Sequence, residues 1–154
     1  MRDDWKRVRA IANYQFGRGA GSALFPDEPE IRRSRTGRIR QIFYRGERIA
    51  TLKTDGLFTL SIEGATRLHH HLPYPKMRVV VEDDAAPFVR DGKNVFARHV
   101  VEVDDDLRAF DEVLVVDRSR NLLGTGKAVL SACEMLSFMR GVAVDVRSGV
   151  GGVE

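Results

Sequence analysis

The sequence predicts an α+β protein of two small domains. Three observations carry this: an apolar stripe at helical spacing that opens the chain, alternating strand-like runs after it, and a proline break near residue 75 where the balance of charge changes sign. The chain has 154 residues, 43% hydrophobic and 31% charged, which is enough apolar material for a packed core. Residues 1–76 carry 15 Lys and Arg against 8 Asp and Glu, a net of +7, whereas residues 77–154 carry 10 against 14, a net of −4. Attraction to phosphate is therefore expected mainly from the first half.

Trp5, Val8, Ile11, Ala12 and Gln15 or Phe16 recur at spacings of three and four, the stripe of an amphipathic helix that should stop near Gly17. Gly17, Gly19 and Gly21 make the next stretch a flexible loop, and Pro26 and Pro29 keep the chain irregular to about Arg33. Alternation over residues 39–44, 47–53 and 57–60, with turn signals at Arg45-Gly46 and Asp55-Gly56, predicts a three-stranded antiparallel meander. Ser61 then fits the N-cap of a helix to about His71, with Ile62, Ala65 and Leu68 on its buried face. Pro73 and Pro75 end that helix and set the expected domains at 1–76 and 77–154.

The second domain opens with a short strand at 78–81 and an acidic turn, Glu82-Asp83-Asp84. A loop carrying Gly92 follows and leads into a short helical turn. Further strands are expected at 111–116, 121–130 and 142–147, with one short helix at 132–139. Gly124 and Gly126 interrupt the middle strand, where backbone must bend or pack closely. Many short strands with tight turns indicate a small barrel-like β domain.

Several functional classes fall away on spacing alone. No apolar run approaches the roughly 20 residues of a membrane span, and residues 1–9 lack the apolar core of a secretory signal. The single cysteine, Cys133, excludes an internal disulfide, fits the reducing cytoplasm, and reads as a small core residue. Consecutive His69, His70 and His71 point about 100° apart on a helix and cannot converge on one ion. Asp104, Asp105 and Asp106 lack calcium-loop spacing and suit a strand-to-turn segment. Around Gly124-Thr125-Gly126-Lys127-Ala128, a phosphate-binding loop would need Gly at Asn121 and Ser or Thr at Ala128. Gly17 to Gly21 follows no strand and is no dinucleotide fingerprint. Neither a catalytic constellation, nor a metal site, nor a cofactor is expected.

Residues 88–100, which include Phe88, Gly92, Asn94, Phe96 and His99, followed by Asp111-Glu112-Val113-Leu114-Val115-Val116-Asp117, closely resemble the PUA domain. That family is an RNA-binding pseudobarrel found in pseudouridine synthases and archaeosine transglycosylases. Leu123 to Ala128 resembles its glycine-containing strand and Gly141 to Arg147 its closing strand, so the likeness covers nearly all of residues 77–148. In the first half, Tyr14-Gln15-Phe16-Gly17 and residues 34–40 resemble the small domain that precedes PUA in archaeal tRNA-guanine transglycosylase and archaeosine synthase. The catalytic barrel of the transglycosylase, with its aspartate nucleophile and zinc ligands, has no room and no matching motif here. The resemblance implies the RNA-holding end of such an enzyme without its chemistry.

The family's RNA surface, carried over residue by residue, implicates Gly92, Lys93, Asn94, Val95, Phe96, Ala97 and Arg98, with Val144 and Arg147 opposite. A glycine here would let backbone N–H groups approach phosphate, a helix N-terminus would add positive potential, and Lys93 and Arg98 would neutralise charge. Equally, Gly92 fits a turn and Val95 and Phe96 fit the core. Lys127 either flanks this groove or is a solvated strand lysine. Arg32, Arg33, Arg35, Arg38 and Arg40 either form a guanidinium patch for phosphates or a solvated face. The resulting expectation is a non-catalytic binder of structured RNA, tRNA before ribosomal RNA, spanning both domains and serving as accessory to an RNA-modification enzyme. The rival expectation is a protein-interaction or small-molecule module on the same scaffold, favoured by the acidic second half.

Overall fold

The computed structural model describes residues 2–152; Met1, Val153 and Glu154, included in the expected domain bounds, lie outside them. The chain divides into two compact units between His71 and Leu72.

In the first unit, α1 (Arg2–Phe16) buries Val8, Ala12 and Phe16 and stops at Gly17, whose φ is 114°. The expected glycine loop is instead a second helix, α2 (Ala20–Leu24). Gly21 makes this possible: a Cβ there would lie 2.4 Å from the Arg9 carbonyl oxygen, and its N–H donates to Asn13 Oδ1 at 2.7 Å. Small residues thus signal close helix packing here and not flexibility.

The sheet has four strands where three are expected: β1 (Glu30–Arg33), β2 (Ile39–Tyr44), β3 (Glu47–Leu52) and β4 (Phe58–Leu60), in sequential antiparallel order. Strand β1 sits at the edge with one apolar residue, Ile31, paired with Ile42, so alternation gives no sign of it. Helix α3 (Ile62–His71) is capped by Ser61, whose Oγ accepts the Gly64 N–H at 3.1 Å. Its buried face is Gly64, Ala65 and Leu68, while Ile62 is half-buried. A Cβ on Gly64 would sit 2.3 Å from the Ile49 oxygen, so glycine lets α3 lie directly on β3. Gln15 joins α1 to β4 through two hydrogen bonds with the Phe58 backbone, at 2.7 and 3.0 Å.

The second unit is a nearly closed six-stranded pseudobarrel. Its elements are β5 (Arg78–Val81), α4 (Ala86–Arg90), β6 (Val95–Phe96), a 3-10 turn (Ala97–His99), β7 (Val100–Val103), β8 (Glu112–Val116), β9 (Leu122–Ala128), α5 (Ala132–Ser137) and β10 (Val142–Gly149). A further 3-10 turn, Val150–Gly152, follows. Strand order is β6-β10-β9-β8-β5-β7, antiparallel except for β5 with β8. Val79, Val113, Leu123, Met135 and Val144 are among its core residues. Two elements depart from expectation. Pro87 lies in the first turn of α4, where its missing N–H costs nothing, and β7 is a short edge strand that exposes Val101 and Glu102.

Gly126 permits the close packing expected of it, since a Cβ there would lie 2.2 Å from the Asp145 oxygen of β10. Helix α5 starts in a capping box formed by Ser131 and Glu134. Ala132 and Met135 face the core and Cys133 is exposed, which corrects its reading as a core residue. Arg78, 1% exposed, is the largest buried side chain of the unit. Its Nη1 donates to the Lys76 oxygen at 2.7 Å and to the Leu72 oxygen at 3.4 Å, which ties segment 72–76 down. Burial lowers its pKa, with the negative charge of an ionised Tyr74 hydroxyl acting in the opposite sense; the Tyr74 ring centroid lies 5.6 Å from Cζ.

Candidate nucleic-acid interface

The Gly92 turn is a helix C-terminus. Gly92 adopts φ +91°, its N–H donates to the Val89 oxygen at 2.9 Å, and the Lys93 N–H donates to the Phe88 oxygen at 2.9 Å. This paired closure is how a helix ends on a left-handed glycine. Both amides are therefore engaged with α4, and the expected roles of free N–H groups and of a helix N-terminus at phosphate are corrected. What the turn offers instead is open space, with no atom within 4 Å of a Cβ built on Gly92, and exposed side chains.

Asn94 Oδ1 accepts the Val146 N–H at 3.0 Å and pins the turn to β10. Val95, Ala97 and Val144 are buried, so their side chains hold the surface from beneath and do not line it. Phe96 is 43% exposed and departs from its core reading; Phe88, on α4, is 62% exposed. Lys93 and Arg98, from the same turn, are both exposed. Arg98 Cζ lies 5.9 Å from the Phe96 ring centroid, and its Nε donates to His99 Nε2 at 3.3 Å. His99 Nδ1 in turn lies 3.0 Å from Glu82 Oε2. The sequence reading missed Phe88 as a surface ring, because Pro87 reads as a loop signal and hides the helix that presents it. It also missed the Glu82–His99 contact, which joins residues 17 apart.

The opposite strand is differently arranged. Arg147 makes a two-pronged ion pair with Glu112, with Nη1 3.2 Å from Oε1 and Nη2 bonded to Oε2. Glu112 is 4% exposed and Arg147 one-third exposed, so this guanidinium compensates a buried carboxylate. Lys127 is exposed, lies opposite Glu112 and Asp145 in the strand register, and stands 5.6 Å from the Phe110 ring.

In the first unit, three of the five arginines of the run have partners. Arg32 pairs with Glu30 at 2.7 Å and lies 3.6 Å over the Phe43 ring. Arg33 pairs with Asp4 and donates to the Gly37 oxygen at 2.7 Å, while Arg38 donates to the Leu52 oxygen at 3.2 Å. Arg35 and Arg40 are exposed.

An open groove of about 730 Å³ runs between α4 and the turn after β8, lined in part by Asp83, Pro87, Arg90, Asp91 and Asp117. Three carboxylates against one guanidinium make it unfavourable to a phosphate backbone. Among the described residues, no three His, Cys, Asp or Glu side chains are placed to hold a metal ion. His71 Nε2 lies 3.2 Å from the Arg18 oxygen. No helix of the described residues is long and apolar enough to cross a membrane.

Comparison with known proteins agrees with this fold. Residues 6–75 match the patch-forming domain C2 of tRNA-guanine transglycosylase, and residues 77–150 match the PUA domain. The tRNA-guanine(15) transglycosylase of Thermococcus kodakarensis is 53% identical over 146 residues, which is 94% of this chain and 25% of that protein. The enzyme of the same name from Methanothermobacter thermautotrophicus is 50% identical over 149 residues, 96% of this chain and 23% of its own length. The chain thus spans about a quarter of these relatives. A hypothetical protein from Pyrococcus horikoshii has a similar fold, with a TM-score of 0.74 at 23% identity over 97% of this chain and 91% of that one. The chain is therefore a PUA-domain protein that carries in front of its PUA domain the C2 domain of tRNA-guanine transglycosylase, and it corresponds to that two-domain part of the archaeal enzyme.

Proposed function

We propose that this chain is a non-catalytic RNA-holding module that binds tRNA, with ribosomal RNA as the next candidate, and presents it to a tRNA-modification activity. The observation that carries this reading is the Gly92 turn, where Lys93 and Arg98 are exposed cations and Phe88 and Phe96, on the same segment, are exposed rings, with Arg98 Cζ 5.9 Å from the Phe96 ring. Cations hold phosphates, and exposed rings stack on unpaired bases, a combination suited to the single-stranded ends and loops of folded RNA. The shared sequence with tRNA-guanine(15) transglycosylases supports tRNA over other RNAs. The proposed interface comprises Gly92, Lys93, Asn94, Phe96 and Arg98, with Val95, Ala97 and Val144 as its buried support. Arg35, Arg40 and Lys127 add long-range attraction.

The test compares binding of a tRNA transcript, ribosomal RNA fragments and duplex DNA over a salt series. Tighter binding to tRNA than to duplex DNA at every salt concentration is the expected result. Equal, weak binding to all three would remove the reading and leave the rival one, a module that has kept the scaffold without the RNA surface.

A further inference from the structure

Arg98 is placed by a neighbour as well as by packing. Its Nε–H donates to His99 Nε2 at 3.3 Å, so Nε2 must carry a lone pair. His99 Nδ1 lies 3.0 Å from a Glu82 carboxylate oxygen, so Nδ1 must carry the proton. Both conditions hold together only for the neutral imidazole in its Nδ1–H form. The same two residues are joined along the main chain, where the Glu82 N–H donates to the His99 oxygen at 3.0 Å. Glu82 and His99 are therefore fixed relative to each other before any ligand arrives. With Nε anchored, the two terminal amino groups of Arg98 remain as a planar fork whose spacing matches two oxygens of one phosphate.

We propose that Glu82 and His99 are positioning residues for Arg98: Glu82 fixes the imidazole tautomer, and neutral His99 anchors Nε so that the forked end meets an RNA phosphate in a preformed orientation. The proposal rests on the reading of the Gly92 turn as an RNA surface. It also gives that surface a pH dependence with a definite sign. Protonation of His99 places an N–H on Nε2 facing the Arg98 Nε–H, which abolishes the anchor and sets two cations against each other. The charged groups around the imidazole are Glu82 and Arg98, in direct contact. Helix α5 packs against the turn that carries His99. Its one carboxylate, Glu134, is held by the Ser131 N–H at 2.9 Å, and on β7 Glu102 is exposed to solvent.

The experiment measures binding of an unmodified tRNA transcript to the full chain as wild type, R98A, H99F, H99Q and the R98A/H99F double variant, at several pH values. Loss of an oriented charged hydrogen bond is worth roughly tenfold in affinity. H99F is expected to lose about as much as R98A, with the double variant losing no more than R98A alone. H99Q places an amide oxygen near the position of Nε2 and is expected to keep most of the affinity. The ratio of wild-type to R98A affinity should be smaller in acid than at neutral pH, because protonated His99 cannot accept from Arg98, and the corresponding ratio in the H99Q background should stay flat. Nitrogen-15 shifts of the free protein should report the Nδ1–H tautomer without any RNA present. Wild-type binding by H99F, additive losses in the double variant, or an Nε2–H tautomer would each overturn the relay and leave the RNA surface standing. Unchanged binding by R98A would instead remove the surface, and the relay with it.

Discussion

The two units carry their cations in opposite ways. The first has the larger positive charge, yet Arg32, Arg33 and Arg38 are engaged with Glu30, Asp4 and the Gly37 and Leu52 carbonyls. The second is acidic overall, yet at the Gly92 turn Lys93 and Arg98 are exposed, and among the described residues the structure shows no acidic partner for either. Net charge sets how strongly a polyanion is attracted from a distance; uncommitted cations set where it is held. Counting charges along the chain and finding the uncommitted ones at the Gly92 turn thus point to different units, and the proposed contact surface follows the second.

The contrast between committed and open groups can be broken at individual residues. The largest effect is expected from Gly126→Val, because its side chain would collide with the Asp145 carbonyl; about 3 kcal/mol of stability should be lost in denaturant unfolding. Next is Arg147→Ala, which removes the cationic partner of the buried Glu112 carboxylate. A loss of about 2 kcal/mol is expected, below the value for a fully buried pair because Arg147 is partly exposed. Its salt dependence of tRNA binding should be unchanged. If stability instead holds and the salt slope falls by about one, Arg147 is a phosphate contact and not an internal partner. Gly92→Ala meets no atom but forces a side chain into a left-handed backbone, so about 1 kcal/mol is expected from thermal unfolding.

The smallest effect concerns Asp55, whose carboxylate accepts the Leu57 N–H at 3.0 Å and lies 3.3 Å from Lys53 Nζ. The Leu57 hydrogen bond is the main cause of its lowered pKa. A depressed carboxylate pKa contributes stability above the ordinary unfolded value, near 4, and loses it as pH falls through the folded value. Asp55→Asn should therefore lower the melting temperature slightly at neutral pH and not at all in strong acid.

Much of the fold is legible in the sequence because it follows apolar period. The stripe from Trp5 to Phe16, the alternation over residues 39–60 and the apolar runs at 112–116 and 142–146 each form the element their spacing predicts. The misses share a cause. Strand β1 is a polar edge, α2 is built from small residues that read as a loop, and α4 begins at a proline that reads as a breaker. In each case tertiary packing decides what local chemistry leaves open. The proposed site was named as a segment, residues 92–98, through resemblance to the PUA domain. Its working parts were not: which amides are engaged with α4, which rings face solvent and which carboxylate holds His99 depend on the closure of the barrel.

The most direct test of the account is tRNA binding by Lys93→Ala/Arg98→Ala across a salt series, beside wild type and with duplex DNA as control. The account predicts weaker tRNA binding and a salt slope reduced by about two, one for each cation lost, with stability within about 0.5 kcal/mol of wild type. A double variant that binds tRNA as wild type does, with the same slope, would contradict it and place any RNA contact elsewhere on the molecule.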